Sequence, residues 1–283
     1  VKGAIITNGY YESAAYTHQI QRLAEAFAAR GEKIEIIKNN AAFGAQPLKY
    51  DYALFLDKDI ALARYLEQNG VILLNNSFAI ENCDDKIKTA LTLSKCSDIC
   101  MPKSLFAPLQ YSGAEKDEEY FVAIEKEIGY PMVVKEAVSS LGQGVYLAHD
   151  RQELKSIESK LTKTAHLYQM YVEESKGKSV RAFVIGHKVA ASMLLTNERD
   201  FRSNVSPSIA EAVELDTEYI SAAEKISHCL ELDYCAVDFF VGAPLVIEIN
   251  SNAYFMKIEE ATNADIAGTY ANYVLEFMRE IIK

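Results

Sequence analysis

What the chain lacks narrows the field first. Nowhere in its 283 residues is there an uncharged apolar run of about 18 or more, so no helix long enough to span a bilayer is expected. The opening Val1-Lys2-Gly3-Ala4-Ile5-Ile6-Thr7 is too short and too soon interrupted for a secretory leader, and it reads as a first strand. Basic residues are in deficit, 29 Lys and Arg against 40 Asp and Glu, for a net charge of −11. That balance disfavours nucleic acid as the main partner, although a few local cations suffice for a nucleotide. Tryptophan is missing, which excludes nothing. The cysteines (Cys83, Cys96, Cys100, Cys229 and Cys235) are odd in number and not closely paired, so reduced, buried thiols in the cytoplasm are expected. Cys96 and Cys100 have no further ligands at zinc spacing. The five histidines form neither a metal nor a triad pattern. Internal repeats, low-complexity segments and a Gly-Lys-Ser/Thr phosphate loop opening a helix are all absent.

What is present is a regular alternation. Strands are expected at residues 1–7, 33–37, 52–56 and 71–74, with helices at 16–30 and 60–68 between them. Strands alternating with helices indicate a small parallel α/β domain over residues 1–76. Its Asn8-Gly9-Tyr10-Tyr11 turn follows the first strand, where such folds place ligands. The pattern then changes. A helix at 84–97, a strand at 104–107, a polar loop over residues 113–117, a helix at 118–128, strands at 132–135 and 145–147 and a helix at 151–161 make a middle lobe, 77–167. The last lobe, 168–283, takes strand candidates at 167–172, 180–185 and 189–194. It continues with a polar loop at 196–208, a helix at 216–230, a hairpin at 235–250 and a closing helix at 265–282. Ile266, Tyr270, Tyr273, Val274, Phe277 and Ile281 face inward on that helix. The fold class is α/β, three lobes in series.

Three clusters carry chemistry. Lys135 ends the apolar run Pro131-Met132-Val133-Val134, and Ser139-Ser140-Leu141-Gly142-Gln143-Gly144 follows. Small residues let backbone amides approach an anion. Asp200-Phe201-Arg202-Ser203-Asn204 offers donors for phosphate oxygens. Asp238, Glu248 and Asn250 set hard oxygen ligands among Val, Ile and Phe, a set suited to magnesium beside nucleotide phosphates. Read alone, each has a plainer counterpart: an exposed lysine by a hairpin loop, a solvated turn, a buried hydrogen-bonded network. With Gly242-Ala243-Pro244 as a three-residue loop, Asp238 lies opposite Glu248, Ala236 opposite Asn250, Phe239 opposite Ile247 and Val241 opposite Leu245.

In this order the clusters resemble the ATP-grasp fold and, within it, the RimK-type glutamate ligases. The matching segments are Asp84-Asp85-Lys86, Val134-Lys135 with Gly142 and Gly144, Gln169-Met170-Tyr171-Val172, Gly177, Arg181, Phe201-Arg202-Ser203-Asn204, Val237-Asp238, Val246-Ile247-Glu248-Ile249-Asn250 and Ala264-Asp265-Ile266-Ala267-Gly268. The resemblance runs from about residue 75 to the C-terminus. It implies a small N-terminal domain and two α+β lobes clasping ATP. Lys86 and Lys135 would hold phosphates, with Gly142 and Gly144 in the loop beside them. Gln169, Met170, Tyr171 and Val172 would read adenine. Ser179 and Arg181 would complete the nucleotide site, and Arg202 and Asn204 would face the acyl phosphate. Asp238, Glu248 and Asn250 would bind magnesium, with manganese as the substitute cation. The implied reaction phosphorylates a carboxylate with ATP and lets an amine displace phosphate, by positioning and charge neutralisation. The implied partners are ATP, a small carboxylate and an amine from an amino acid or peptide. Homo-oligomers are common in the family. Three departures stand out: Ser179 where the family has an acidic ribose ligand, Ser206-Pro207-Ser208 where it has a basic, glycine-rich stretch, and Asn252-Ala253-Tyr254 in place of Ser-Pro-Gly. They argue against a ribosomal-protein substrate. The competing readings are a ligase of another ATP-grasp branch acting on a small metabolite and an inactive ATP-binding regulatory module.

Overall fold

A computed structural model describes residues 1–42, 50–113, 116–140 and 142–281. Leu141 of the small-residue loop, Ala114 and Glu115 of the polar loop and Ile282 lie outside the described residues. The first sheet comprises β1 (Gly3–Thr7), β2 (Ile34–Lys38), β3 (Tyr52–Leu56) and β4 (Ile72–Leu74), all parallel in the order β2-β1-β3-β4. Helices α1 (Ala14–Ala28), the short α2 (Asn39–Ala42) and α3 (Ile60–Gln68) accompany it. Every residue of β1 and β3 is buried, as their unbroken apolar runs require of central parallel strands. The Ser13 hydroxyl starts α1 two residues earlier than its apolar stripe suggests, by accepting from the Tyr16 amide.

The helix expected at 84–97 is shorter, α5 (Lys86–Leu93), and an unexpected helix, α4 (Ser77–Asp84), precedes it. Asp85 adopts an extended conformation and its carboxylate caps α5, accepting from the amides of Ile87 and Lys88. Lys86 thereby becomes the first residue of α5. Its own amide donates to the Ala137 carbonyl, 2.9 Å away, while Leu93 packs in a core with Ile226 and Leu230 of the last lobe.

The middle sheet is β5 (Ser104–Phe106), β6 (Met132–Glu136), β7 (Val145–Ala148) and β8 (His166–Met170), ordered β5-β8-β6-β7. Helices α6 (Glu118–Glu127) and α7 (Arg151–Lys160) cover it, around a core that includes Phe121, Met132, Val134, Leu154 and Tyr168. The boundary read at 167/168 falls inside β8, which pairs with β5 and β6 along its length.

The last sheet is β9 (Lys178–Ile185), β10 (Lys188–Thr196), β11 (Ile209–Ala212), β12 (Tyr234–Phe239) and β13 (Val246–Asn250), ordered β11-β10-β9-β12-β13. Helices α8 (Thr217–Cys229), α9 (Met256–Thr262) and α10 (Ile266–Ile281) complete it. Ile266, Tyr270 and Val274 of α10 are buried, and Tyr273 and Phe277 pack at the edge of the same core, but Ile281 is exposed at the helix end. One core joins the first and last sheets, taking Ile5, Leu23, Phe27 and Leu54 from one and Phe183, Met193, Tyr234 and Tyr270 from the other. Each such side chain contributes about 1.5–3 kcal/mol on burial. Asn75 reinforces the join, donating to the Tyr234 and Ser251 carbonyls at 2.8 and 2.7 Å and accepting from the Tyr234 amide.

The hairpin keeps most of its expected register. Ala236 pairs with Asn250, Val237 with Ile249 and Asp238 with Glu248. A bulge then intervenes, so Phe239 pairs with Val246 rather than Ile247, and Phe240 rather than Val241 bonds to Leu245. The expectation of wholly reduced thiols is corrected for one pair: Cys96 and Cys229 form a disulfide, while Cys83, Cys100 and Cys235 are free. The packing of α5 against α8 brings together cysteines 133 residues apart, a pairing that spacing does not reveal.

Candidate active site

The middle and last sheets face each other across a cleft lined from both sides, by Lys86, Val133, Lys135 and Gln169 on one and by Asp238, Phe240, Ile247 and Glu248 on the other. Lys135, on β6, is buried with an exposure of 8% and donates to the Ile247 carbonyl of β13, 3.4 Å away. Lys86 reaches in from α5 and donates to the carbonyl and hydroxyl of Ser139 at 2.9 and 3.0 Å. Gly142 of the small-residue loop also lines the cleft. Its φ is +72°, and a Cβ there would come within 2.6 Å of the Val205 side chain. We therefore expect Gly142→Ala to cost about 1 kcal/mol or more of stability and to weaken nucleotide binding about tenfold, as read by melting temperature and ATP titration. Loss of neither would show that the loop takes no part.

Arg202 forks onto Asp200 at 2.9 and 2.7 Å and donates to the Gly142 carbonyl at 2.5 Å, linking the loop over residues 200–204 to the small-residue loop. Asn204 donates to Glu248 at 3.5 Å. Gln169, Met170, Tyr171 and Val172 line the cleft where β8 leaves the sheet. The Met170 amide is taken by the Lys103 carbonyl, whereas the amides of Tyr171 and Val172 make no backbone hydrogen bond among the described residues. Val133 and Val145 form one apolar wall, Phe240 and Ile247 the other.

The chain is acidic, yet this cleft is lined by five cationic side chains, Lys86, Lys135, Lys176, Lys178 and Arg202, against two carboxylates, Asp238 and Glu248. Such a surplus attracts a polyanion. Burial pushes the Lys135 ammonium down to about 8, with Glu248 opposing and Lys86 adding to the shift. Lys86 is lowered too, again chiefly by burial. Lys176 and Lys178 are not among the residues the sequence points to; the signal for them is the Lys176-Gly177-Lys178 run leading into β9. Nor are the apolar walls, because valine and phenylalanine in strands look like core.

Arg181 and Asn250 open instead into an adjoining cavity, whose wall with the cleft carries Ser140, Asn204 and Glu248. Arg181 forks onto Asp238 at 2.6 and 2.7 Å. Burial opposes the Arg181 charge, but the Asp238 carboxylate holds its pKa above the ordinary arginine value. Ser179 and Gly144 line neither space: the Ser179 hydroxyl is buried 2.6 Å from that of Ser203, and Gly144 accepts from the Glu136 amide. The other side of the cavity comes from the first sheet, through Asn8, Tyr11, Tyr16, Asp57 and Lys58, and from Asn252 and Tyr254 after β13.

The oxygen donors fit a hard cation. One Glu248 oxygen stands 4.0 Å from the Lys86 ammonium and the other meets only the long Asn204 contact. The buried Asn250 Nδ2 has no partner, so turning the amide would aim its oxygen there instead. Asp238 differs, since both of its oxygens are held by Arg181.

Paired lobes, a lysine-lined cleft and acidic strands at its floor define a nucleotide-dependent ligase of the ATP-grasp class. The sequence profile of the RimK-like ATP-grasp domain matches residues 83–274, and the chain belongs to that family. It is similar to an uncharacterised protein of Mycoplasma pneumoniae, 34% identical over 218 residues and covering 75% of each chain. It is 32% identical over 282 residues to a protein of Rhodopirellula baltica named "Probable alpha-L-glutamate ligase", covering 91% of this chain and 68% of that one. The crystal structure of a RimK-domain ATP-grasp protein from Sphaerobacter thermophilus superposes with a TM-score of 0.71 at 23% identity, over 97% of this chain and 100% of that one. The protein is thus an ATP-dependent, ADP-forming carboxylate–amine ligase that uses a divalent cation. Among the described residues no helix is long and apolar enough to cross a membrane.

Proposed function

We propose that the enzyme joins an amino-acid or peptide carboxylate to the amine of a second amino acid, with Mg-ATP as phosphoryl donor. The observation that carries this is the shared wall of the two cavities. Asn204 and Glu248 border both the cationic cleft and the adjoining cavity, so a carboxylate in the second would meet a γ-phosphate in the first. The name of the Rhodopirellula relative favours glutamate as the amine.

In this reading adenine lies between the Val133–Val145 and Phe240–Ile247 walls, and the free amides at Tyr171 and Val172 donate to its edge. Lys178 lines the cleft and would contact the ribose, while Ser179, the neighbouring family position, turns inward to Ser203. Lys86 and Lys135 neutralise the phosphates, and the Gly142 loop covers them under the Arg202 clamp. Glu248 and Asn250 would hold magnesium, with Asp238 kept in line by Arg181. The cation would draw charge from the phosphates as they separate. Arg181, at the same floor, faces the carboxylate to be activated. Asn204 donates to the oxygens of the acyl phosphate. Exclusion of water between the lobes protects that species until the amine arrives.

The test is phosphate release from Mg-ATP with pooled amino acids and dipeptides, the product being identified by mass. Turnover should rise at least tenfold when the right acid and amine are both present. ATP binding without stimulation by any acid–amine pair would favour a regulatory module instead.

A further inference from the structure

The adjoining cavity holds one group that the reaction outlined above leaves unused. Strand order in the first sheet reverses between β1 and β3, whose last residues Thr7 and Leu56 are register partners. The crevice beyond the carboxyl ends of strands at such a reversal is where open α/β sheets bind ligands. Asn8 and Asp57 come next in the chain, and both line the cavity.

Asp57 is only 5% exposed. Its Oδ1 accepts from the Asn8 amide group at 3.1 Å and from the Lys58 backbone at 2.7 Å. Its Oδ2 is buried with no hydrogen-bond partner, and among the described residues Asp57 forms no ion pair. The neighbouring Lys58 lines the cavity as well, but its ammonium pairs with Asp84, 3.2 Å distant, and not with Asp57. A buried carboxylate oxygen without a donor is unfavourable, and a cationic donor would relieve it. Beside Asp57 the cavity has an aromatic wall: Tyr11 and Tyr16 have ring centroids 5.4 Å apart, and Tyr16 and Tyr254 6.1 Å. Electron-rich ring faces attract an ammonium. Arg181, Asn204 and Glu248 stand on the cleft side. The cavity thus sets an unpaired carboxylate oxygen and aromatic faces at the first sheet, beside a lysine already paired with Asp84, against a guanidinium and an amide next to Glu248 at the last.

We propose that Asp57 is an ammonium anchor, and that the acid activated by this enzyme is an amino acid carrying a free, protonated amine. This rests on the ligase reading and names the substrate class for it. The substrate carboxylate lies at the Arg181 end. One of its oxygens attacks the γ-phosphorus of ATP, a C–O–P linkage forms, and ADP leaves with the electron pair of the broken P–O bond. The amine of a second molecule then attacks the carbonyl carbon. Phosphate departs with the pair of the broken C–O bond, and the attacking nitrogen gives up a proton to solvent. The ammonium held at Asp57 has no lone pair, so the activated molecule's own amine is kept from competing with the incoming one.

The experiment traps the acyl phosphate with hydroxylamine in the presence of Mg-ATP. Free amino acids are compared with their N-acetyl derivatives and with the same acids lacking the amine. At least one free amino acid should give hydroxamate with kcat/KM at least tenfold above both counterparts. Asp57→Asn keeps Oδ1 as acceptor for Asn8 and Lys58. It should raise KM for that amino acid at least tenfold, leave ATP affinity and melting temperature unchanged, and shrink the preference over the amine-free acid. N-acetyl or amine-free acids reacting as well as the free amino acid, or an unchanged preference in Asp57→Asn, would overturn the anchor. Failure of the ligase reading looks different: no acid of any kind yields hydroxamate or ADP, and the anchor falls with it.

Discussion

Glu248→Gln should lower kcat about a hundred- to a thousandfold while nucleotide affinity without magnesium changes less than tenfold. Glu248 is the only carboxylate that lines both the cleft and the adjoining cavity among the described residues. It faces Lys86 at 4.0 Å, and it opposes the downward shift of both Lys86 and Lys135. Glutamine keeps the shape and one oxygen but removes the charge. The loss therefore falls on charge stabilisation during phosphoryl transfer, where removing one group typically costs a factor of about 10²–10³. Steady-state ADP release and ATP titrations with and without magnesium separate the two effects. The magnesium-dependent gain in melting temperature with ATP should vanish as well. Retention of both kcat and that gain would remove Glu248 from the metal site. Asp238→Asn is a poorer probe, because it leaves the buried Arg181 guanidinium without its counter-ion. Breaking a buried pair in that way costs about 3–5 kcal/mol in stability alone.

The same contrast shows what could be read from the chain. Asp238 opposite Glu248 follows from side-chain alternation and turn length, and the pairing is present. The bulge one residue further on does not follow, since it depends on how Phe240 and Leu245 close the turn. Lys86 and Lys135, 49 positions apart in the sequence, were assigned together through the family motifs, and both line the cleft. The resemblance assigns Arg181, a single position, to the nucleotide site; in the structure it forks onto Asp238 on the neighbouring strand and lines the adjoining cavity. Ser179 alternates away from it and turns to Ser203. The start of α5 is legible, since Asp85 followed by a helix former is a capping signal. The start of α4 has one too, in Asn76, whose side chain accepts from the Ala79 amide. Asp57 gave no local sign, because its meaning lies in an unpaired oxygen and in the distant residues that share its cavity.

Lys135 should make nucleotide binding fade as pH rises through about 8. Burial lowers its pKa to about 8, against about 10.4 in an unfolded chain. Below that value the ammonium is charged and available to phosphate, so ATP affinity is at its plateau. Above it, ATP must bind a neutral amine or recover the proton. Affinity should then fall towards the limit set by one charge-assisted contact, roughly 1.5–3 kcal/mol or about ten- to a hundredfold. Folding stability without nucleotide runs the other way. Between about 8 and 10.4 the unfolded chain binds more protons at this position than the folded one, so this residue's contribution to stability rises with pH across that window. Lys135→Met should flatten both trends: ATP affinity is weak but level with pH, and this part of the rise in melting temperature is gone. Parallel ATP titrations and thermal melts from pH 7 to 10 on both proteins make the check. A wild-type affinity that stays level through pH 9, or a variant that keeps the decline, would take Lys135 out of contact with the phosphates.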